Sequence, residues 1–145
     1  MKITSQIIIL ATALCVFACS KNSNVSPKES MISTITSSEW VAENVVNETD
    51  GDLTSLYKNF SVTFRKNSSS NFMGEYYVAN GSYAFPNGYG QWTISEDLKT
   101  MTFNNGQSIA IALTNKKLTM DFIIAPSTGR VSGVAGHFTF TLKQL

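Results

Sequence analysis

From Glu39 to the C-terminus, apolar and polar residues alternate with a period of two. Phe60, Val62 and Phe64 interleave with Ser61, Thr63 and Arg65, and Trp92 and Ile94 with Thr93 and Ser95. Met101 and Phe103 alternate with Thr100 and Thr102, and Ile109, Ile111 and Leu113 with the small Ala110 and Ala112. Leu118, Met120, Phe122 and Ile124 form one set, and Phe138, Phe140 and Leu142 another, each broken by Thr, Asp or Lys. Period two puts the apolar set on one face of a β-strand and the polar set on the other. Trp40 to Val46 and Phe72 to Ala79 bring the total to about eight strands.

Turn chemistry separates these runs. Asp50-Gly51, Asn80-Gly81 and Asn105-Gly106 supply residues that tolerate positive φ, and Asn115-Lys116 fits a short hairpin. Pro86-Asn87-Gly88 and Pro126 to Gly129 are longer loops. Short, evenly spaced strands joined by hairpins predict an all-β fold, an antiparallel up-and-down β-barrel of about eight strands. Closure leaves no exposed edge to pair with another chain.

Ahead of the strands the pattern differs. Ser26-Pro27-Lys28-Glu29 has Ser as N-cap, Pro at the first helical position and Glu three residues on. Met31, Ile32 and Ile35 follow at helical spacing, which predicts a short helical turn before the first strand. Residues 20–26 are small and polar and read as a tether. The first residues combine a basic start, Lys2, with an apolar run from Ile7 to Ala18 of about a dozen residues. A spanning helix needs about 20, so this run reads as a cleaved signal. The expected organisation is a signal over 1–18, a tether over 19–36 and a β-domain over 37–145.

Val16-Phe17-Ala18-Cys19 resembles a bacterial lipobox. The resemblance implies a lipid on the Cys19 sulfur and cleavage before it. Cys15 does not compete, because Leu14 would fill the small-residue position. Two or three acyl chains, at about 0.8 kcal/mol per buried CH₂, anchor where one chain holds only marginally. By the sorting behaviour of such lipoproteins, Ser20 implies the cell envelope and its outer membrane. The competing expectation is an ordinary secretory signal with a coincidental Cys.

Composition then narrows the chemistry. The chain of 145 residues carries a net charge of +1, two Cys and one His. Loss of Lys2 with the signal leaves a neutral chain, without the basic stripe that nucleic acid requires. With Cys15 removed and Cys19 lipidated, the domain has no thiol for a disulfide, a nucleophile or a metal. No cofactor, metal site or catalytic constellation is expected. Glu48, Asp50 and Asp52 lack the spacing of a calcium loop and read as a solvated hairpin. His137, out of phase with Phe138, reads as a surface histidine without a nucleophile beside it. Gly129, Gly133 and Gly136 precede a strand rather than a helix, so they are no nucleotide fingerprint.

Three stretches together resemble the lipocalin-like domains of Gram-negative lipoproteins. They are Asp50 to Tyr57 leading into Phe60–Phe64, Gly90 to Ser95 followed by Asp97–Phe103, and Gly129 to Gly136 leading into Phe138–Leu142. Trp40 stands where lipocalins enter their first strand with a tryptophan. The resemblance covers most of Trp40 to Leu142 and implies a small up-and-down barrel; it carries over no catalytic residue.

Two function classes follow. The barrel could enclose a small hydrophobic ligand, with Phe64, Trp92, Phe103, Ile111, Phe122 and Phe138 as the wall and Tyr76, Tyr77, Tyr83 and Tyr89 near the mouth. Alternatively the interior is filled, and the protein is a protein-binding envelope module, either an inhibitor of another enzyme or a subunit of an envelope complex. It would then act through the loops at 50–52, 85–90 and 126–136, with an exposed patch at Tyr83, Phe85 and Tyr89. Barrels of eight strands have room inside for side chains or for one small ligand. An enzyme is the weakest class, since no polar constellation falls on an inward face.

Overall fold

The computed structural model describes residues 25–67, 72–85, 88–126 and 135–145. Residues 1–18, the Cys19 anchor site and most of the polar tether lie outside the described residues. So do Gly129, Arg130 and Gly133.

Helix α1 spans Pro27–Ile35, and its start is made by the residues that predict it. The Glu29 N–H donates to Ser26 Oγ at 3.2 Å, and the Ser26 N–H donates to the Glu29 carboxylate at 3.2 Å. Both bonds satisfy donors that a helix start otherwise leaves open. The helix is not part of a free tether. Ile32 and Ile35 are buried in the core, and the buried Trp40 Nε1 donates to the Ile35 carbonyl at 2.8 Å. An indole N–H without a partner would be costly there, so this bond fixes the helix on the first strand.

Among the described residues nine strands follow: β1 (Glu39–Asn47), β2 (Gly51–Asp52), β3 (Ser61–Lys66), β4 (Gly74–Ala79), β5 (Gly88–Ile94), β6 (Thr100–Phe103), β7 (Ser108–Thr114), β8 (Lys117–Ile124) and β9 (Gly136–Gln144). From β3 to β9 each strand pairs antiparallel with the next. β9 then returns to β1, from Trp40↔Gln144 to Asn47↔Phe138, and β1 pairs with β3. The result is a closed eight-stranded antiparallel barrel, and β2 is an extra two-residue strand on the far end of β1.

Local chemistry sets the corners. Asn115 and Lys116 both take positive φ, 49° and 62°, which gives the turn whose twist suits the β7–β8 hairpin. In β1 the register against β9 shifts between Ala42 and Asn44. The extra residue there, Glu43, makes a β-bulge that reverses the inward phase. Trp40 points inward before the bulge, and Val45 and Asn47 are buried after it.

Apolar side chains from segments outside the strands close both barrel ends. At one end, α1 contributes Ile32 and Ile35 and is held by Lys28 on Glu96 and by Gln144 Nε2 on the Thr34 carbonyl at 3.3 Å. At the other, the segment between β2 and β3 contributes Tyr57 and Phe60, and the β4–β5 connection contributes Ala84 and Phe85. All of these are buried.

Candidate functional site

The six residues expected to form an interior wall do share the interior. Phe64, Trp92 and Phe138 are fully buried, and Phe103, Ile111 and Phe122 nearly so. The five aromatic members are also in contact with other rings. Phe64 meets Trp92 edge to face at 5.7 Å, Phe122 stacks on Phe138 at 5.9 Å, and Phe103 stacks on Tyr76 at 4.3 Å. Between them sits Phe85. Its ring lies 5.4 Å from Phe60, 6.4 Å from Phe103, 4.8 Å from Phe122 and 5.2 Å from Phe140. Those four partners come from the β3 approach and from β6, β8 and β9, so Phe85 bridges the barrel from one side to the other.

Two expectations change here. Phe85 does not belong to an exposed aromatic patch: it is 2% exposed. The turn Gly81–Phe85, closed by the Phe85 N–H on the Gly81 carbonyl at 3.1 Å, aims its ring into the lumen. A Cβ on Gly81 would sit 2.1 Å from the Phe85 carbonyl oxygen, so the turn needs glycine at that point. Tyr76 is not at a wet mouth either. It faces inward on β4 and is buried, and burial raises its phenol above the usual 10.0. The Tyr57 phenol is raised by burial as well; it faces the Ser82–Ala84 turn without a well-formed hydrogen bond.

Tyr83 is exposed in the β4–β5 connection, and the outer face of β3, β4 and β5 carries two further exposed aromatic residues. Register pairs Thr63 with Tyr77 and Tyr77 with Tyr89, which makes one row across three strands. The neighbouring row is Arg65, Glu75 and Gln91. Tyr77 is 44% exposed and Tyr89 is 86% exposed, with ring centroids 4.9 Å apart and planes inclined at 47°. Thr63, Tyr77 and Tyr89 of the first row and Arg65 and Glu75 of the second, with Tyr76 between them, line a recess of about 250 Å³. Glu75 accepts from Asn67 Nδ2 at 3.0 Å, and Arg65 forms no ion pair among the described residues.

His137 is on the outer surface, as its phase in β9 requires, but it is held on both sides. Nε2 lies 2.5 Å from Asp121 Oδ1 and Nδ1 lies 2.6 Å from Glu48 Oε1. Thr139 Oγ1 donates to the second Asp121 oxygen at 2.8 Å. Hydrogen bonds to Asp121 and Glu48 raise the His137 pKa above its usual 6.5. Asp121 is lowered: partial burial works against ionisation, but the bonds from His137 and Thr139 outweigh it. The ring nitrogens point in opposite directions, so the two carboxylates do not converge on a point where an ion could sit. The clasp ties the loop after β1 to β8 and β9. Sequence reasoning left Glu48 with Asp50 and Asp52 and did not bring it to His137, since the two are brought together only by the β1–β9 seam.

The acidic loop is dispersed accordingly. Asp52 accepts from the Thr54 N–H at 2.9 Å, and the buried Asn47 Oδ1 accepts from the N–H groups of Thr49 and Asp50 at 2.8 and 3.1 Å. No group of three His, Cys, Asp or Glu side chains among the described residues is arranged to hold a metal ion. No described helix is long and apolar enough to cross a membrane. No protein-family model matches the chain, and no curated protein matches it.

Proposed function

We infer that this chain is a lipid-anchored cell-envelope protein that works as a binding module through the outer surface of a filled barrel. One observation carries the choice between interior and surface: Phe85, from a connection between strands, occupies the lumen among Phe60, Phe103, Phe122 and Phe140. Rings in mutual contact across the barrel do the work of a core, as in other barrels of this size. Large aromatic groups left outside, on the Tyr77–Tyr89 row, are what a recognition surface uses. The anchor is supported by the run ending in Ala18-Cys19 and by the polar residues after it. The outer membrane is the location that Ser20 favours.

Two measurements on the full chain, expressed in a Gram-negative host with an alkyne-tagged fatty acid, test this. The wild type should take up label and fractionate with membranes, and Cys19→Ala should take up none. Native mass spectrometry of the purified protein should then give the lipidated polypeptide without a further apolar adduct. An unlabelled, soluble wild type overturns the anchor. A stoichiometric apolar adduct that survives detergent exchange overturns the filled barrel and returns Phe64, Trp92, Phe103, Ile111, Phe122 and Phe138 to the role of a ligand wall.

A further inference from the structure

We propose that the recess on β3, β4 and β5 binds a neutral carbohydrate, with Tyr89 and Tyr77 as the stacking platform and Arg65 and Glu75 as the hydroxyl-reading groups. This rests on the outer face being the working surface.

The argument starts from what each row offers. A pyranose ring has an apolar C–H face and a rim of hydroxyls that both donate and accept. The Tyr77–Tyr89 row presents two exposed rings inclined to each other, which suits a C–H face rather than a flat π-system. The row beside it presents a guanidinium that forms no ion pair among the described residues, and a carboxylate. A planar fork of donors and a two-oxygen acceptor can each span vicinal hydroxyls. Thr63 closes the aromatic row at its β3 end.

The same chemistry disfavours other occupants. A purely apolar ligand would cover Arg65 and Glu75 without giving either a partner, which is costly. A phosphorylated or sulfated ligand would meet Glu75 beside Arg65, and a cationic one the reverse. A neutral, polyhydroxylated ligand gives partners to both charged groups and both rings without bringing a charge of its own. The recess, about 250 Å³, is smaller than the usual ligand pocket and suits a single sugar ring of a longer chain. The platform is also firmly backed. Inside the sheet the Tyr76 ring fills the space that a Cβ on Gly90 would take, at 2.4 Å, and Tyr76 in turn stacks on Phe103. The strand carrying Tyr89 is therefore pressed on the core and need not be ordered on binding.

The test is isothermal titration, with amide NMR shifts, of the full chain in detergent against four neutral tetrasaccharides: cellotetraose, xylotetraose, laminaritetraose and maltotetraose. At least one should bind in the micromolar to millimolar range and shift amides of β3, β4 and β5. Tyr89→Ala and Arg65→Ala should each weaken it at least tenfold. Tyr89→Phe should stay within about threefold, because the ring and not the hydroxyl stacks. Ile123→Ala, equally exposed but on β8, should change nothing. No binding by any of the four at 10 mM overturns the proposal, as does binding that Tyr89→Ala leaves intact. A recess that instead takes the uncharged apolar dye N-phenyl-1-naphthylamine, with the dye lost in Tyr89→Ala, also overturns it while leaving the outer-face function standing. A stoichiometric apolar adduct in native mass spectrometry is the separate failure of the outer-face function itself.

Discussion

Replacing Phe85 with Ala tests whether a loop residue is part of the core. Phe85 lies in the connection between β4 and β5, where a side chain is ordinarily exposed and its removal changes stability by no more than about 0.5 kcal/mol. Here the ring is 2% exposed and touches four others. A buried aromatic side chain removes roughly 150–250 Å² from water, and truncation to Ala leaves a cavity besides. The expected cost is about 3–5 kcal/mol. For a domain of about 120 residues, an unfolding entropy of about 2.1 cal/mol/K per residue gives roughly 0.25 kcal/mol/K. Each kcal/mol then moves Tm by about 4 °C, so Phe85→Ala should melt about 12–20 °C lower. Tyr83→Ala, two residues earlier and 62% exposed, is the control and should move Tm by no more than about 2 °C. The assay is thermal and urea unfolding followed by circular dichroism. Benzene supplies a second readout, because an apolar cavity of this kind stays dry and accepts it. At ten times its Kd it should restore about 1.4 kcal/mol to Phe85→Ala and nothing to the wild type. A loss below about 1 kcal/mol, or benzene stabilising both proteins alike, would refute the filled interior.

The clasp at His137 gives a pH dependence with a definite sign. The folded pKa of His137 is raised above 6.5, so its contribution is complete below pH 6.5 and is lost as pH rises through the raised value. Asp121 is lowered below 3.8, so its contribution is present above pH 3.8 and is lost as pH falls through the lowered value. The Tm difference between wild type and His137→Asn should be largest between those limits and shrink toward pH 9. Because the chain has one histidine, its Cε1 proton is a single NMR resonance; Glu48→Gln should shift its midpoint downward. Ile35→Ala should cost about 2–5 kcal/mol in urea unfolding, since the residue is buried in the core although it precedes the first strand. A loss under about 0.5 kcal/mol would return the segment to the tether. Gly90→Ala should cost about 1–3 kcal/mol and broaden the amide signals of β5, because the new methyl meets the Tyr76 ring.

The strands were legible where the alternation is unbroken. β8 and β9 read directly, since Leu118 to Ile124 and Phe138 to Leu142 keep one phase through the longest seam. β1 was legible as a strand but not in phase. Val45 and Val46 are equally apolar, and only the bulge at Glu43, set by pairing with β9, decides that Val45 goes inside. The start of α1 was legible because a capping box is local chemistry. Its length and its burial were not, because they depend on Trp40 reaching the Ile35 carbonyl. Leu53 to Asn59 has neither period, and only the folded barrel shows that Tyr57 closes its end.

What separates a filled barrel from a hollow one lies outside the strands. Phe64, Trp92, Phe103, Ile111, Phe122 and Phe138 face inward in either case, and their alternation is the same in both. The deciding residue is Phe85, and its phase cannot be read because a turn has none. The surface site is hidden for a related reason. Tyr77 and Tyr89 become neighbours through the β4–β5 register, and a connection as long as the one at 80–87 does not fix that register from its sequence. Gly90 supplies the missing constraint, since the Tyr76 ring fits only where a Cβ is absent. One contact inside the sheet therefore aligns β4 with β5 and, on the opposite face, brings Tyr77 beside Tyr89. Disturbing Gly90 should then loosen the core and misalign the outer row together, which ties the stability of the barrel to the geometry of the surface proposed to bind.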